Sequence, residues 1–233
     1  ATFFVVGELL EFQPEIFDKI IDNDHEIAFH TMHHERLDSP GFKENFSDEI
    51  KKFAKLTKHK SQGFRAPTFS LNQSSSWVID VLAENNYIYD SSIIPAKSNM
   101  YGTPNAEHSP YRISSNSIEK NDSSGKLIEF PLLTTRFLGK KIPAAGGFYL
   151  RTLPTNVIKN AIKNYEKKGM PATFYIHSWE LTPEFMPRLD LPLKDKFVTY
   201  HNLDKAYSRM SQLLKHFEFT SFSRYIAENE MMI

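Results

Sequence analysis

Short runs rich in β-branched and aromatic residues alternate with helix-periodic stretches along most of the chain, and this alternation constrains the fold more than any other feature. It predicts parallel strands joined by right-handed crossover helices, hence an α/β sheet or barrel. Strands are expected over residues 2–6, 26–30, 63–67, 87–90, 127–131 and 173–177, with a weaker one near 219–222. Between them, Pro14 suits a first helical turn and Ile16, Phe17, Ile20 and Ile21 share one face. Phe46, Ile50, Phe53, Ala54 and Thr57 form a second stripe, and Trp77, Val78, Val81 and Leu82 a third. Thr155 reads as the N-cap of a helix bearing Val157, Ile158, Ala161, Ile162 and Tyr165, with Gly169 past its end. Asn202 precedes Leu203, Ala206, Tyr207, Met210, Leu213, Leu214 and Phe217. At helical spacing these stripes are core. Two stretches break the rhythm. Residues 91–126, rich in Ser, Asn and Pro and anchored by Ile113 and Ile118, read as a surface excursion, and 132–151 as a second irregular segment.

Composition narrows the class. The chain of 233 residues carries 28 Lys+Arg against 28 Asp+Glu, so the basic footprint of a general nucleic-acid binder is absent and no such partner is expected. With 40% hydrophobic residues and 19 Phe it has enough apolar surface for one large domain over 1–233. Without cysteine it has neither disulfides nor a thiol nucleophile. No apolar run approaches the roughly 20 residues that span a bilayer.

Chemistry-bearing residues gather at strand ends. His30-Thr31-Met32-His33-His34 follows the strand 26–30 at its C-terminal end, where α/β proteins build their sites. On one helical turn, His30 and His34 would point the same way and supply two nitrogen ligands to a Zn²⁺-like cation. With 9 His in the chain, this spacing arises about 0.34 times by composition alone, so position carries the argument. Arg65, in Phe64-Arg65-Ala66-Pro67, ends another strand, and its planar fork suits a catalytic carboxylate, although a rim Arg commonly makes a solvated ion pair. The nearly continuous apolar run 173–177 delivers His177 to a third strand end, beside Trp179 and Glu180. Asp90 ends a fourth and is positioned to hold an imidazole in one tautomer.

Taken in order, ATFFVVGE, HEIAFHTMHH, FRAP and FYIHSWE resemble the second strand, the metal motif, the Arg motif and the late His motif of the NodB-type polysaccharide deacetylases of carbohydrate esterase family 4. YDSSIIP, Gly146-Gly147-Phe148-Tyr149 and His-x-Trp-Glu are similar to the branch found in exopolysaccharide and O-antigen loci. The resemblance implies a distorted, incomplete (β/α) barrel and a metal-dependent hydrolase that removes N-acetyl groups from a cell-surface polysaccharide or its sugar precursor. By the same resemblance His30 and His34 bind Zn²⁺ or another divalent transition metal, and Arg65 positions the base. His177 is the general acid, Asp90 tunes His177, and Trp179, Phe148 and Tyr149 stack on sugar. A bacterial or archaeal cytoplasm or cell envelope is the implied setting.

The family's first motif, an acidic pair that supplies the base and the third ligand, has no match and should precede Ala1. Asp22 and Asp24 precede the strand that carries His30 at its far end, and Glu35 and Asp38 match no motif. A chain with two imidazoles alone is expected to bind metal weakly. The rivals are a non-catalytic carbohydrate- or metal-binding relic and a hydrolase of another non-peptide C–N bond, such as a ring amide.

Overall fold

A computed structural model describes residues 1–97 and 102–231. Its first half follows the expected alternation. Strand β1 (Thr2–Val5) leads through α1 (Gly7–Phe12) and α2 (Glu15–Asp22) to β2 (Glu26–Phe29); α3 (Phe42–Leu56) leads to β3 (Gly63–Phe64), and α4 (Trp77–Glu84) to β4 (Tyr89–Asp90). Then come β5 (Tyr111–Ile113), β6 (Leu127–Glu129), a hairpin of β7 (Thr134–Phe137) and β8 (Lys140–Pro143), α5 (Gly147–Thr152) and α6 (Thr155–Glu166). The chain closes with α7 (Ser178–Leu181), α8 (Leu193–Tyr200), α9 (Ala206–Leu214) and α10 (Phe222–Glu228).

The main sheet has the order β1-β2-β3-β4-β6-β5, parallel except for antiparallel β5. Main-chain bonds carry the parallel ladder beyond the strands: His30 N–H donates to Val5 O, Arg65 to Phe29 O, Ser91 to Phe64 O and Phe130 to Asp90 O. These bonds fix which residues reach the C-terminal rim. Among the described residues the sheet stays open and closes no barrel; the fold is the expected α/β arrangement on a mostly parallel sheet, in distorted form.

Three expectations are corrected. The run 173–177 makes only an isolated bridge between Thr173 and Leu132, with Leu133 N–H donating to Thr173 O, because the chain after Leu133 turns into the β7–β8 hairpin and leaves no partner strand. Residues near 219–222 pair with no strand; Ser221 Oγ accepts from Arg224 N–H and starts α10. The stretch 91–126 is not wholly superficial, since residues 91–96 are buried and β5 pairs with β6; its positions 98–101 lie outside the described residues.

The helices are held by their stripes. Phe42, Phe46, Ile50 and Phe53 of α3 are buried, as are Val78, Ile79 and Leu82 of α4 and Ile158, Ala161, Ile162 and Tyr165 of α6. In α9, Leu213 is buried but Tyr207 and Leu214 face outward. Phe29 sits at the centre of the first core. Its ring centroid lies 4.6 Å from Phe53, 5.7 Å from Phe64, 6.1 Å from Phe46 and 6.4 Å from Tyr87. Its truncation leaves a cavity walled by rings on separate elements, which cannot all collapse into it. Phe29→Ala is therefore expected to cost about 3–5 kcal/mol, and Phe12→Ala, at an exposed position, to stay within roughly 0.5 kcal/mol. Urea unfolding of the two variants measures the contrast.

Candidate active site

The first cluster follows β2. The loop His30–His34 is not a helical turn: Thr31 and His34 adopt left-handed φ of 60° and 56°. The two imidazoles nonetheless meet, their ring centroids 4.9 Å apart. Main-chain clamps hold the loop, with Gly7 N–H donating to Thr31 O and Glu8 N–H to Met32 O, both at 2.9 Å. Gly7 has no side chain because a Cβ there would stand 2.2 Å from the Met32 sulfur. His30 Nδ1 lies 2.7 Å from Arg65 O; a carbonyl only accepts, so Nδ1 carries the proton and Nε2 is left with its lone pair. Burial lowers the His30 pKa to about 3, and burial also lowers that of His34, so both rings are available as neutral ligands. His33 points elsewhere, to Glu8 at 3.0 Å.

Arg65 directly follows β3 and is 7% exposed. Its Nε donates to Ser91 O at 2.8 Å and its Nη2 to Ser91 Oγ at 2.7 Å. The rings of Phe4, Phe69 and Tyr175 lie 4.1, 6.0 and 5.5 Å from the guanidinium carbon. Desolvation pulls its pKa down to about 10. No carboxylate among the described residues hydrogen-bonds to it, which is notable because a buried guanidinium ordinarily holds one.

Asp90 does not meet His177. Its side chain leaves the strand beside Ser91 and accepts from Ser92 Oγ at 2.6 Å, while Ser92 Oγ accepts in turn from Ala66 N–H at 2.8 Å. Its other oxygen, buried, has no protein donor apart from a protonated neighbouring acid. That neighbour is Glu129, whose Oε1 accepts from Ile93 N–H at 2.9 Å. Burial, followed by the Asp90 charge, pushes the Glu129 pKa well above the ordinary range, and burial raises that of Asp90. Glu129 keeps its proton and donates it to Asp90: two carboxyls in low dielectric do not both ionise.

His177 stands beyond Thr173, half exposed, close enough to His30 and His34 for its charge to act on both. Its Nδ1 lies 3.1 Å from Glu180 Oε2, so Glu180 takes the place expected of Asp90. Trp179 lies nearly parallel to the His177 ring, at 5.6 Å and 18°. Phe148 and Tyr149 are half-buried on α5, 5.4 Å apart, with Phe148 edging Phe197 of α8 at 6.3 Å. Among the expected residues, then, His30, His34, Arg65 and His177 share one rim, Trp179 lies beside His177, and Asp90 turns away. Sequence reasoning did not single out Ser91, Glu129 and Arg151 as site residues; the one legible signal was Glu180, three residues after a helix-opening His177, where an acid bonds back to the cap N–H.

A divalent cation finds two nitrogens here but not a complete protein set. Among the described residues no group of three or more His, Cys, Asp and Glu gathers as a ligand shell. Asp38 is no substitute, because Arg36 grips both its oxygens at 2.8 Å. The pair fits two of the roughly three protein ligands of a catalytic zinc site.

In fold, and in the sequence of its first 87 residues, the chain is similar to polysaccharide deacetylases. Residues 1–87 match the family model described as polysaccharide deacetylase, and residues 91–227, more than half of the chain, match the domain of unknown function DUF3473; the chain belongs to the family that carries this domain. No curated protein sequence matches. Solved structures share the fold. A protein from Mycobacterium smegmatis described as a polysaccharide deacetylase has TM-score 0.54 and 18% identity, covering 98% of this chain and 71% of its own. Puue allantoinase has TM-score 0.56 and 14% identity, covering 96% and 65%. A 4-alpha-glucanotransferase from Thermococcus litoralis has TM-score 0.55 and 15% identity, covering 97% and 33%. The chain thus spans about two thirds of the first two structures and a third of the last.

The Asp90–Glu129 pair sets a pH dependence of known sign. Below the ordinary Glu value, folded and unfolded chains both hold the Glu129 proton; above about pH 5 the unfolded chain releases it while the folded protein keeps it, so stability falls as pH rises. In Glu129→Gln the amide oxygen accepts from Ile93 N–H and the NH₂ donates to Asp90, with nothing to titrate. The stability gap between variant and parent should shift toward the variant by up to about 1.4 kcal/mol per pH unit above pH 5. Urea unfolding across pH checks this, and a gap that does not change with pH contradicts the protonated pair.

Proposed function

We propose that the protein removes N-acetyl groups from a cell-surface polysaccharide or its sugar precursor, in a metal-dependent hydrolysis. The observation that carries this reading is the gathering of two neutral imidazoles, a buried guanidinium that bonds to no carboxylate among the described residues, and a half-exposed histidine at one C-terminal rim. His30, through Nε2, and His34 would hold Zn²⁺ or another divalent transition metal, which when bound supplies polarisation of the acetamido carbonyl and acidification of water. Water adds to the acyl carbon first; His177, which takes up a proton at Nε2 while its Nδ1–H faces Glu180, then gives that Nε2 proton to the departing nitrogen as the C–N bond breaks, and acetate and a free amine leave. Arg65 orients the carboxylate that accepts the proton of that water. The family resemblance implies an acidic motif for this carboxylate, and the reading requires it to enter between Arg65 and the His30–His34 pair. Trp179, Phe148 and Tyr149 present half-buried ring faces suited to sugar.

The test is acetate release from an N-acetylhexosamine oligomer by the full-length protein, with and without chelator. Activity should require the metal. His177→Ala should lower turnover by about 10²–10⁴, the usual scale for a general acid. His33→Ala, at a ring committed to Glu8, should leave it unchanged. Normal deacetylation by His177→Ala removes His177 from the mechanism.

A further inference from the structure

Behind His177 lies a buried ion pair that the reaction written above does not use. Glu180 and Arg151 are each 1% exposed, with Arg151 Nε donating to Glu180 Oε1 at 3.0 Å. The second oxygen of Glu180 accepts from the main-chain N–H of His177 at 3.2 Å and faces its Nδ1 at 3.1 Å. Arg151 gives its other nitrogens to two carbonyls at the end of α8, Nη1 to His201 O at 2.6 Å and Nη2 to Val198 O at 3.0 Å. Each of its three nitrogens is engaged, so Glu180 cannot swing away without stranding a buried cation. Gly147 makes the room: a Cβ there would fall within 1.8 Å of all three carboxyl atoms of Glu180. Trp179, stacked beside His177, lies 5.9 Å from the Arg151 guanidinium.

A buried ion pair is a poor source of stability, since desolvation consumes most of its attraction and packed apolar side chains would serve as well. One whose free oxygen is aimed at a half-exposed imidazole is better explained by what it does to that ring. We infer that Glu180 is a positioning residue that fixes the Nδ1 proton of His177 and turns Nε2, the nitrogen that takes up and hands on the catalytic proton, toward the rim, and that Arg151 fixes Glu180. The inference rests on the reading of His177 as the acid. It replaces Asp90, which is occupied by Ser92 and Glu129, with a residue from the α7 turn.

The pair makes a sharp test available. In Glu180→Gln, Arg151 is a donor and draws the amide oxygen to itself, leaving the NH₂ toward His177. Nδ1 must then accept, and the imidazole proton moves to Nε2. Long-range ¹⁵N–¹H spectra at about pH 8.5, where imidazoles are neutral, read the tautomer directly in the protein as it stands. The expected result is Nδ1–H in the parent and Nε2–H in Glu180→Gln. In the full-length protein, the same substitution should lower kcat by about 10²–10⁴ with KM little changed, and Arg151→Lys, which keeps the charge and loses the fork, should fall between. An unchanged tautomer in Glu180→Gln overturns the inference, whatever the activity. A tautomer that inverts in a protein whose parent releases no acetate upholds the positioning pair and sinks the deacetylase reading alone.

Discussion

The burial of Arg65 is the constraint on which the rim depends. A guanidinium taken out of water costs several kcal/mol unless its donors are met. Two of its five N–H donors are met by the strand next door: Nε and Nη2 close on Ser91, whose hydroxyl donates to Phe130 O, while the Arg65 carbonyl accepts from His30 Nδ1. One residue thereby sets the ends of β2, β3, β4 and β6 relative to one another and selects the His30 tautomer. Phe4, Phe69 and Tyr175 complete its enclosure with ring faces, which attract the cation without neutralising it.

The rim is built by both matched portions of the chain. His30, His34 and Arg65 lie in the stretch that matches polysaccharide deacetylases, whereas Ser91, Glu129, Arg151, His177 and Glu180 lie in the stretch that matches DUF3473. The boundary falls between hydrogen-bonded neighbours, so the C-terminal portion completes the site rather than standing apart from it. It contributes the anchor for Arg65, the candidate acid and the ion pair behind that acid.

Much of this was legible in the sequence. The alternation of strand and helix placed His30, Arg65 and Asp90 at strand ends, because in a parallel sheet position along the chain fixes the edge reached. What it left open was direction. Successive strand residues point to opposite faces, so Ser91 turns to Arg65 while Asp90 turns to Glu129, and the expected Asp90–His177 contact does not form. The β7–β8 hairpin escaped notice because its turn places Leu138 and Gly139 at φ 49° and 77°, and Leu-Gly is a weaker signal than Asn-Gly. Arg151 was invisible for a different reason: its partners Glu180, Val198 and His201 are distant in sequence, and only tertiary packing brings them together.

The central claim is that His30 and His34 act together as nitrogen ligands, and X-ray absorption at the zinc edge of the Zn²⁺-loaded protein tests it most directly. The account predicts a first shell containing two imidazoles at about 2.0–2.1 Å, one of which disappears in His30→Ala and one in His34→Ala, with His33→Ala unchanged. A parent spectrum without imidazole scattering, or one that loses a ring in His33→Ala and keeps both in His34→Ala, contradicts it.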